Sequence, residues 1–355
     1  MSPRLLLALS LSCGLAQAQP AAKSAVAPAE VALAKSVELP AGPLGQGAWR
    51  FDIEAGWAKL PAGKTLAATH GGAAVDKAGN IYMSSDGPEG IFVFAPDGKL
   101  LRTMAPELTN LHGLMIRTEG GKEFIYGALN KAGGKAVKLS LDGKVEWTIE
   151  KPVQSGFYNQ PADTKKRAAS FSPTGIAVGP DDRIYLADGY GASVIHVFGA
   201  DRQYQKIIGT RGPGEGQFTT CHGIALDTRF SPARLLVADR ENKRLVHLDL
   251  EGKWLGVVAT DLRRPCALSF HGDFVAVAEL QGRVVILDKA GKIVYTLGDN
   301  PDQAQWAKFN LAQEFWKDGI FVAPHGLTFD KDGNLFVQDW NFAGRFTKLK
   351  KIAAK

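Results

Sequence analysis

The chain has 355 residues, 45% of them hydrophobic and 22% charged, which excludes disorder over most of its length. Its 40 glycines are about 11% of the residues against a usual ~7%, a bias toward tight turns and short strands rather than long helices. The net charge of +6 is modest for this size and no Lys/Arg cluster approaches a nucleic-acid footprint, so a nucleic-acid partner is excluded.

Residues 1–18 read as a secretory signal, with Arg4 in a basic start, an apolar run from Leu5 to Leu11, and a small-x-small site at Ala16-Gln17-Ala18. A lipoprotein reading through Cys13 is weaker, because the residue three places upstream is Ser10 rather than Leu. The mature chain is expected to be exported, periplasmic or secreted, and monomeric. No transmembrane segment is expected, since no other stretch reaches about eighteen apolar residues. Only Cys221 and Cys266 remain, enough for one bridge at most, so this is no disulfide scaffold. Residues 19–47 are rich in Ala and Pro and read as a linker, leaving 48–355 as the ordered domain.

One unit recurs through that domain: a small-residue turn, a short apolar run, a Gly turn, a second apolar run ending in an acid, then two further strands. Its clearest copies are Pro173-Thr174-Gly175-Ile176-Ala177-Val178 with Arg183-Ile184-Tyr185-Leu186-Ala187-Asp188, and Pro324-His325-Gly326-Leu327-Thr328-Phe329 with Asn334-Leu335-Phe336-Val337-Gln338-Asp339. The six units start at His70, His112, Thr174, His222, Cys266 and His325, a mean spacing of about 51 residues that suits a four-stranded blade. The predicted architecture is all-β, a six-bladed propeller of NHL-like blades. Blade six has strands near 325–330, 334–339 and 345–350 but no fourth, so the N-terminal strand Trp49–Ile53 closes the ring. The long connections 151–172 and 298–323 are expected to form lids or rim loops. The second, with Trp306, Phe309, Phe315 and Trp316, has the spacing of a short amphipathic helix.

Four of only seven histidines, His70, His112, His222 and His325, fall in the same slot of the repeat. The first strand of each blade lines the channel, so blades two, four and six send His112, His222 and His325 toward one point from three directions. Three neutral imidazoles with an open fourth position make a catalytic zinc arrangement, and His70 or Cys266 is available as a further donor. The second strand runs back to the same face, bringing Tyr190 and Arg240 there. A phenol beside a metal can act as a general base, and an arginine can hold a carboxylate through paired hydrogen bonds. The bland alternatives are turn packing for Tyr190 and an ion pair with a neighbouring acid for Arg240. The recurring acids Asp86, Asp188, Asp239, Glu279 and Asp339 read as turn fasteners.

The pattern Pro-x-Gly-Ile-Ala-Val followed by Ile-Tyr-Leu-Ala-Asp resembles NHL repeats. A narrower resemblance rests on Ala187-Asp188-Gly189-Tyr190, on Gly212-Pro213-Gly214-Glu215-Gly216-Gln217-Phe218 leading to Cys221-His222-Gly223, and on Ala238-Asp239-Arg240-Glu241-Asn242. Together with Leu111-His112-Gly113 and Pro324-His325-Gly326, these runs resemble the catalytic domain of peptidyl-α-hydroxyglycine α-amidating lyase. That resemblance implies zinc on His112, His222 and His325, a base at Tyr190, an active-site arginine at Arg240, and cleavage of a carbinolamide N–Cα bond to an amide and glyoxylate. Two departures stand out. The lyase's second arginine falls where this chain has Met83-Ser84-Ser85-Asp86, placing Asp86 at the channel mouth. The aspartate after its third histidine, part of a structural Ca2+ site, is Gly326 here. The substrate, a small molecule or peptide, is therefore expected to differ. A metal-dependent lactone or ester hydrolase and a non-enzymatic binding propeller are the alternatives.

Overall fold

The computed structural model describes residues 42–131, 133–158 and 170–353, so the signal at 1–18 and most of the linker lie outside the described residues. Strands β1 (Leu44–Gln46) and β2 (Trp49–Glu54) come first. Blade one is β3 (Ala73–Val75), β4 (Ile81–Ser84), β5 (Ile91–Phe94) and β6 (Leu100–Met104). Blade two is β7 (Leu111–Glu119), β8 (Lys122–Leu129), β9 (Lys135–Ser140) and β10 (Val145–Ile149). Blade three is β11 (Gly175–Val178), β12 (Ile184–Ala187), β13 (Ile195–Phe198) and β14 (Tyr204–Ile208). A short parallel pair, β15 (Thr210–Arg211) and β16 (Gln217–Phe218), precedes blade four. Blade four is β17 (Cys221–Asp227), β18 (Arg234–Asp239), β19 (Arg244–Leu248) and β20 (Trp254–Ala259). Blade five is β21 (Pro265–His271), β22 (Phe274–Glu279), β23 (Arg283–Leu287) and β24 (Ile293–Leu297). The last three strands are β25 (Pro324–Phe329), β26 (Leu335–Asp339) and β27 (Arg345–Ile352).

Blade six is completed by the chain start: β2 pairs antiparallel with β27, Ile53 opposite Leu349, which closes the ring as the repeat count requires. β1 adds a fifth, outermost strand through Leu44–Phe51 pairing, so the blade begins inside the span read as linker. The six inner strands β3, β7, β11, β17, β21 and β25 touch one another in sequence around the ring.

Stability follows from blades that are apolar on both faces. All four residues of β12 are buried, as are all four of β5, so neither face of these strands sees water. The apolar clusters lie between neighbouring blades: Phe92 and Phe94 of blade one pack with Phe336 and Phe346 of blade six, and Tyr185 and Val197 of blade three with Leu235 and Val237 of blade four. Each such side chain contributes about 1.5–3 kcal/mol on burial, and no blade can collect it alone.

The connection 298–323 departs from its expected form. It contains no α-helix, only two single 3-10 turns at Gln303–Gln305 and Gln313–Phe315. Ala307 adopts a left-handed φ of 56° and gives its N–H to Val322 O, so the helical hydrogen-bond ladder is broken there. Its aromatics act as separate anchors: Trp306 lies under the Arg263 guanidinium and Trp316 under that of Arg345. Cys221 and Cys266 are both buried free thiols. Among the described residues no helix is long and apolar enough to cross a membrane.

Candidate metal centre at the channel mouth

The slot residues reach the axis through a shared backbone device. In blades two, four and six the ladder pairs Leu111 with Leu129 then Gly113 with Ala128, Cys221 with Asp239 then Gly223 with Ala238, and Pro324 with Asp339 then Gly326 with Gln338. His112, His222 and His325 are the residues skipped; in blade five the ladder passes from Pro265–Glu279 to Leu268–Val277, leaving out Cys266 and Ala267. A bulge re-aims the extra residue, which here turns each imidazole out of the sheet toward the channel. In every blade but the fifth, where Ala267 follows Cys266, the residue after the slot is a glycine that meets the next blade. A Cβ on Gly113 would lie 2.9 Å from Thr174 O, on Gly175 2.8 Å from His222 O, on Gly223 2.3 Å from Cys266 O, and on Gly326 2.3 Å from Gly71 O. Only glycine permits this approach, so the His-Gly pairs are a packing requirement as well as a signature.

The three histidines form a nearly equilateral group, with ring centroids 4.6 Å apart for His112–His222, 4.6 Å for His112–His325 and 4.7 Å for His222–His325. His70 joins it at 4.8 Å from His112 and 4.7 Å from His325. Donor atoms converge in two overlapping sets, His70, His112 and His325 on one side and His222, Cys266 and His325 on the other.

The hydrogen-bond count favours a cation. His112 Nδ1 lies 2.7 Å from Thr174 O and His222 Nδ1 3.0 Å from Cys266 O, so each Nδ1 carries the proton and each Nε2 presents a lone pair. Those lone pairs face one hydroxyl: Tyr190 Oη is 3.2 Å from His112 Nε2, 3.1 Å from His222 Nε2 and 3.3 Å from His70 Nε2. It also accepts from Arg240 Nη1 at 3.1 Å. A phenol has one hydrogen to give, and the two lone pairs of His112 and His222 both ask for it. Both ring nitrogens of His325 are buried and have no protein partner at all. Buried acceptors are normally paired, so the donor set fits a divalent metal.

Burial keeps these imidazoles neutral, the form that ligates. His112, His222 and His325 titrate well below the usual histidine range through desolvation and then their positive neighbours, and His70 falls to about 3. The Tyr190 phenol is pushed up to about 12 by burial, against the pull of the Arg240 guanidinium, and the Cys266 thiol to about 11 by burial. Arg240 makes the ion pair with its neighbouring acid, donating Nε to Glu241 at 2.9 Å, while its Nη1 donates to Tyr190 Oη at 3.1 Å.

A second ring, not recognised in the sequence, surrounds this cluster. Asp86, Tyr190, Arg240, Leu280 and Trp340 each give their backbone N–H to a carbonyl two residues before a slot residue, at 2.8, 3.3, 3.0, 3.0 and 2.7 Å, and Asn130 makes the sixth bond at 3.4 Å. Tyr190 and Arg240 thus occupy the same position in adjacent blades. Trp340 lies between His70, with ring centroids 5.5 Å apart, and Phe309 at 4.9 Å. Asp86 does not reach the cluster; it pairs with Lys131 Nζ at 3.5 Å. Ser84 and Ser85 beside it bond backbone groups of Gly72 and Leu66, filling the sector where the resemblance had implied an arginine.

The other acids fasten turns as read. Asp188 accepts from Ser172 N and Ala192 N at 2.7 Å, and Asp339 from Val322 N at 3.0 Å and Ala323 N at 2.7 Å. Glu279 accepts from Arg263 N. Asp239 accepts from Thr219 N at 2.8 Å, Asn242 Nδ2 at 2.7 Å and Arg244 Nε at 2.8 Å. Asn242 and Arg244 in turn bond Gly212 O and Gly214 O at 2.9 Å, so the Asp-Arg-Glu-Asn run docks the glycine-rich loop at the mouth. The position implied for a calcium carboxylate is closed, because Gly326 packs on Gly71 O.

Two cavities meet at the histidines. One of about 370 Å³ follows the channel between the inner strands; the other, about 630 Å³, opens at the mouth over His70, Tyr190, Arg240 and His325.

Fold and site together define a propeller with a buried nitrogen and sulfur donor cluster beneath a cationic mouth. No family model matches the chain. Among solved structures, a streptogramin B lyase aligns with a TM-score of 0.55 at 16% identity, over 86% of this chain and 99% of its own. Virginiamycin B lyase from Staphylococcus aureus gives 0.54 at 14%, over 85% and 100%. A gluconolactonase from Xanthomonas campestris gives 0.54 at 13%, over 88% and 98%. These likenesses show the propeller fold.

Proposed function

We propose that this chain is a metal-dependent lyase of the amidating-lyase type, cleaving the N–Cα bond of an N-acyl-α-hydroxyglycine or a close relative to an amide and glyoxylate. The observation that carries the reading is Tyr190 Oη, held by Arg240 and faced by the Nε2 atoms of His70, His112 and His222. Two of the proteins with this fold are named lyases and another a gluconolactonase, so the architecture is compatible with carbon–heteroatom bond cleavage.

Zinc on His112, His222 and His325 would supply positive charge that polarises the substrate hydroxyl and favours the phenolate of Tyr190. Arg240, its guanidinium fixed by Glu241, anchors the substrate carboxylate beside that phenol. Tyr190 takes the hydroxyl proton, the C–O electrons form the aldehyde carbonyl, and the N–Cα pair leaves with the amide nitrogen. Tyr190 then returns the proton to that nitrogen. The reaction is proton-neutral and needs no water, which suits one phenol acting as base and then acid. His70 and Trp340 form the wall of the mouth beside the phenol.

The test is glyoxylate release from α-hydroxyhippurate by the purified mature protein, with metal content measured in parallel. About one zinc per chain and glyoxylate production are expected, both lost in His222→Ala. Zinc-loaded protein that releases no glyoxylate but hydrolyses a lactone or ester would overturn the reading. Export follows from the residue 1–18 segment as a further part of this proposal and is tested by the mature N-terminus found in fractionated cells.

A further inference from the structure

The 630 Å³ mouth carries more positive charge than one carboxylate needs. Its lining includes Arg211, Arg240 and Arg264, with Glu241 as the one acid. Glu241 clamps two of the three: its carboxylate accepts from Arg240 Nε at 2.9 Å and from Arg264 Nε and Nη2 at 3.0 and 2.6 Å. Arg211 stands apart from that clamp. It ends the short strand β15, and its Nη2 donates to Gly191 O at 2.7 Å, one residue past Tyr190. That bond pins the guanidinium at the mouth while no ion pair neutralises it among the described residues. The loop behind it is built to hold this position: Gly212 N bonds Phe218 O at 3.0 Å, and Asn242, itself fixed by Asp239, bonds Gly212 O.

Charge is thus unevenly distributed around the rim. On the blade-one side Lys131 is matched by Asp86, while the exposed Arg211, at the join of blades three and four, has no direct ion pair among the described residues and feels a carboxylate only through the buried Asp188. Trp340 and Leu280 give the remaining wall an apolar character.

We infer that Arg211 forms a second anion subsite, so that the substrate is a small dianion: an N-acyl-α-hydroxyglycine whose acyl group ends in a carboxylate. The lyase reading enters only in placing the first carboxylate on Arg240. Arg211 then receives the distal carboxylate across Tyr190, and a guanidinium held by one backbone bond keeps donors free for it.

Isothermal titration with two inert analogues tests this. N-succinylglycine and N-butyrylglycine have acyl groups of equal chain length and differ by the terminal carboxylate. The dianion is expected to bind about tenfold tighter or better, since a charge-assisted hydrogen bond distinguishes them, and the ratio is expected to collapse in Arg211→Gln. Arg211→Lys, which keeps the charge but loses the fork, is expected to retain part of it. Equal binding of the two analogues to wild-type protein, or a ratio that survives Arg211→Gln in a variant with an unchanged melting curve, overturns the subsite. The hydroxylated pair separates this failure from failure of the lyase reading. A dianion preference in binding with no glyoxylate from N-succinyl-α-hydroxyglycine refutes the lyase and leaves the subsite; glyoxylate from both substrates at equal kcat/KM refutes the subsite and leaves the lyase.

Discussion

Replacing Tyr190 by Phe removes a single oxygen from the centre of the site. That oxygen lies 3.1 Å from Arg240 Nη1 and from His222 Nε2, and within 3.3 Å of two further imidazoles. Proton transfer by a positioned side chain contributes roughly 10²–10⁴-fold, so kcat should fall by that factor, or about 2.7–5.5 kcal/mol in barrier. KM should move far less, because Arg240 keeps its Glu241 bond and remains available to the carboxylate. Zinc content should hold, since the ring nitrogens of His112, His222 and His325 are untouched. The assay is steady-state glyoxylate release from α-hydroxyhippurate alongside elemental analysis. Turnover within about threefold of wild type, far inside the range expected for a lost base, would refute the role given to Tyr190. Loss of zinc in the variant would instead make the phenol a ligand.

Acid should weaken the fold through His196, which is buried against Tyr158 with its pKa lowered to about 4 by desolvation. Its folded pKa lies below the unfolded value near 6.5, so between about pH 6.5 and 4 the unfolded chain binds more protons and stability falls as the pH falls. The effect is on the order of 3 kcal/mol, and His196→Gln should flatten the melting temperature across that window relative to wild type; parallel profiles would refute it. Gly326→Asp, which restores the carboxylate implied by the resemblance, should destabilise and gain no calcium response. Its Cβ would sit 2.3 Å from Gly71 O, an overpacking cost of about 1–3 kcal/mol and a drop of several degrees in Tm. A calcium-dependent rise in Tm for that variant would show the reasoning wrong.

The propeller was legible because its signal is repeated. The blades share glycine turns, and four of the six place an acid, Asp188, Asp239, Glu279 or Asp339, at the end of the second strand, so six imperfect copies outweigh the ambiguity of any one. The histidine slot was legible for the same reason. What the repeat concealed was the bulge at His112, His222 and His325, since a skipped pairing leaves no mark in an apolar and polar pattern. The aromatic spacing of 298–323 suggested a helix, but Trp306 and Trp316 answer to Arg263 and Arg345 rather than to a shared face. β1 was hidden in an Ala- and Pro-rich span because three paired residues carry no periodicity.

The rim shows why chemistry is harder to read than fold. Asp86, Asn130, Tyr190, Arg240, Leu280 and Trp340 have nothing chemical in common, and they are equivalent only through a backbone N–H that any of these side chains permits. The fold therefore imposes no residue type at this ring, while after five of the six slots, all but Cys266 with its Ala267, it imposes glycine. Substitution can change the mouth without touching the blades. In this chain the mouth is uneven: the sector at Asp86 is neutralised by Lys131, and Arg211, without a direct ion pair among the described residues, stands beside the Tyr190 turn. An anion entering such a mouth is drawn to one side of the histidine cluster, which orients it before any contact with Tyr190.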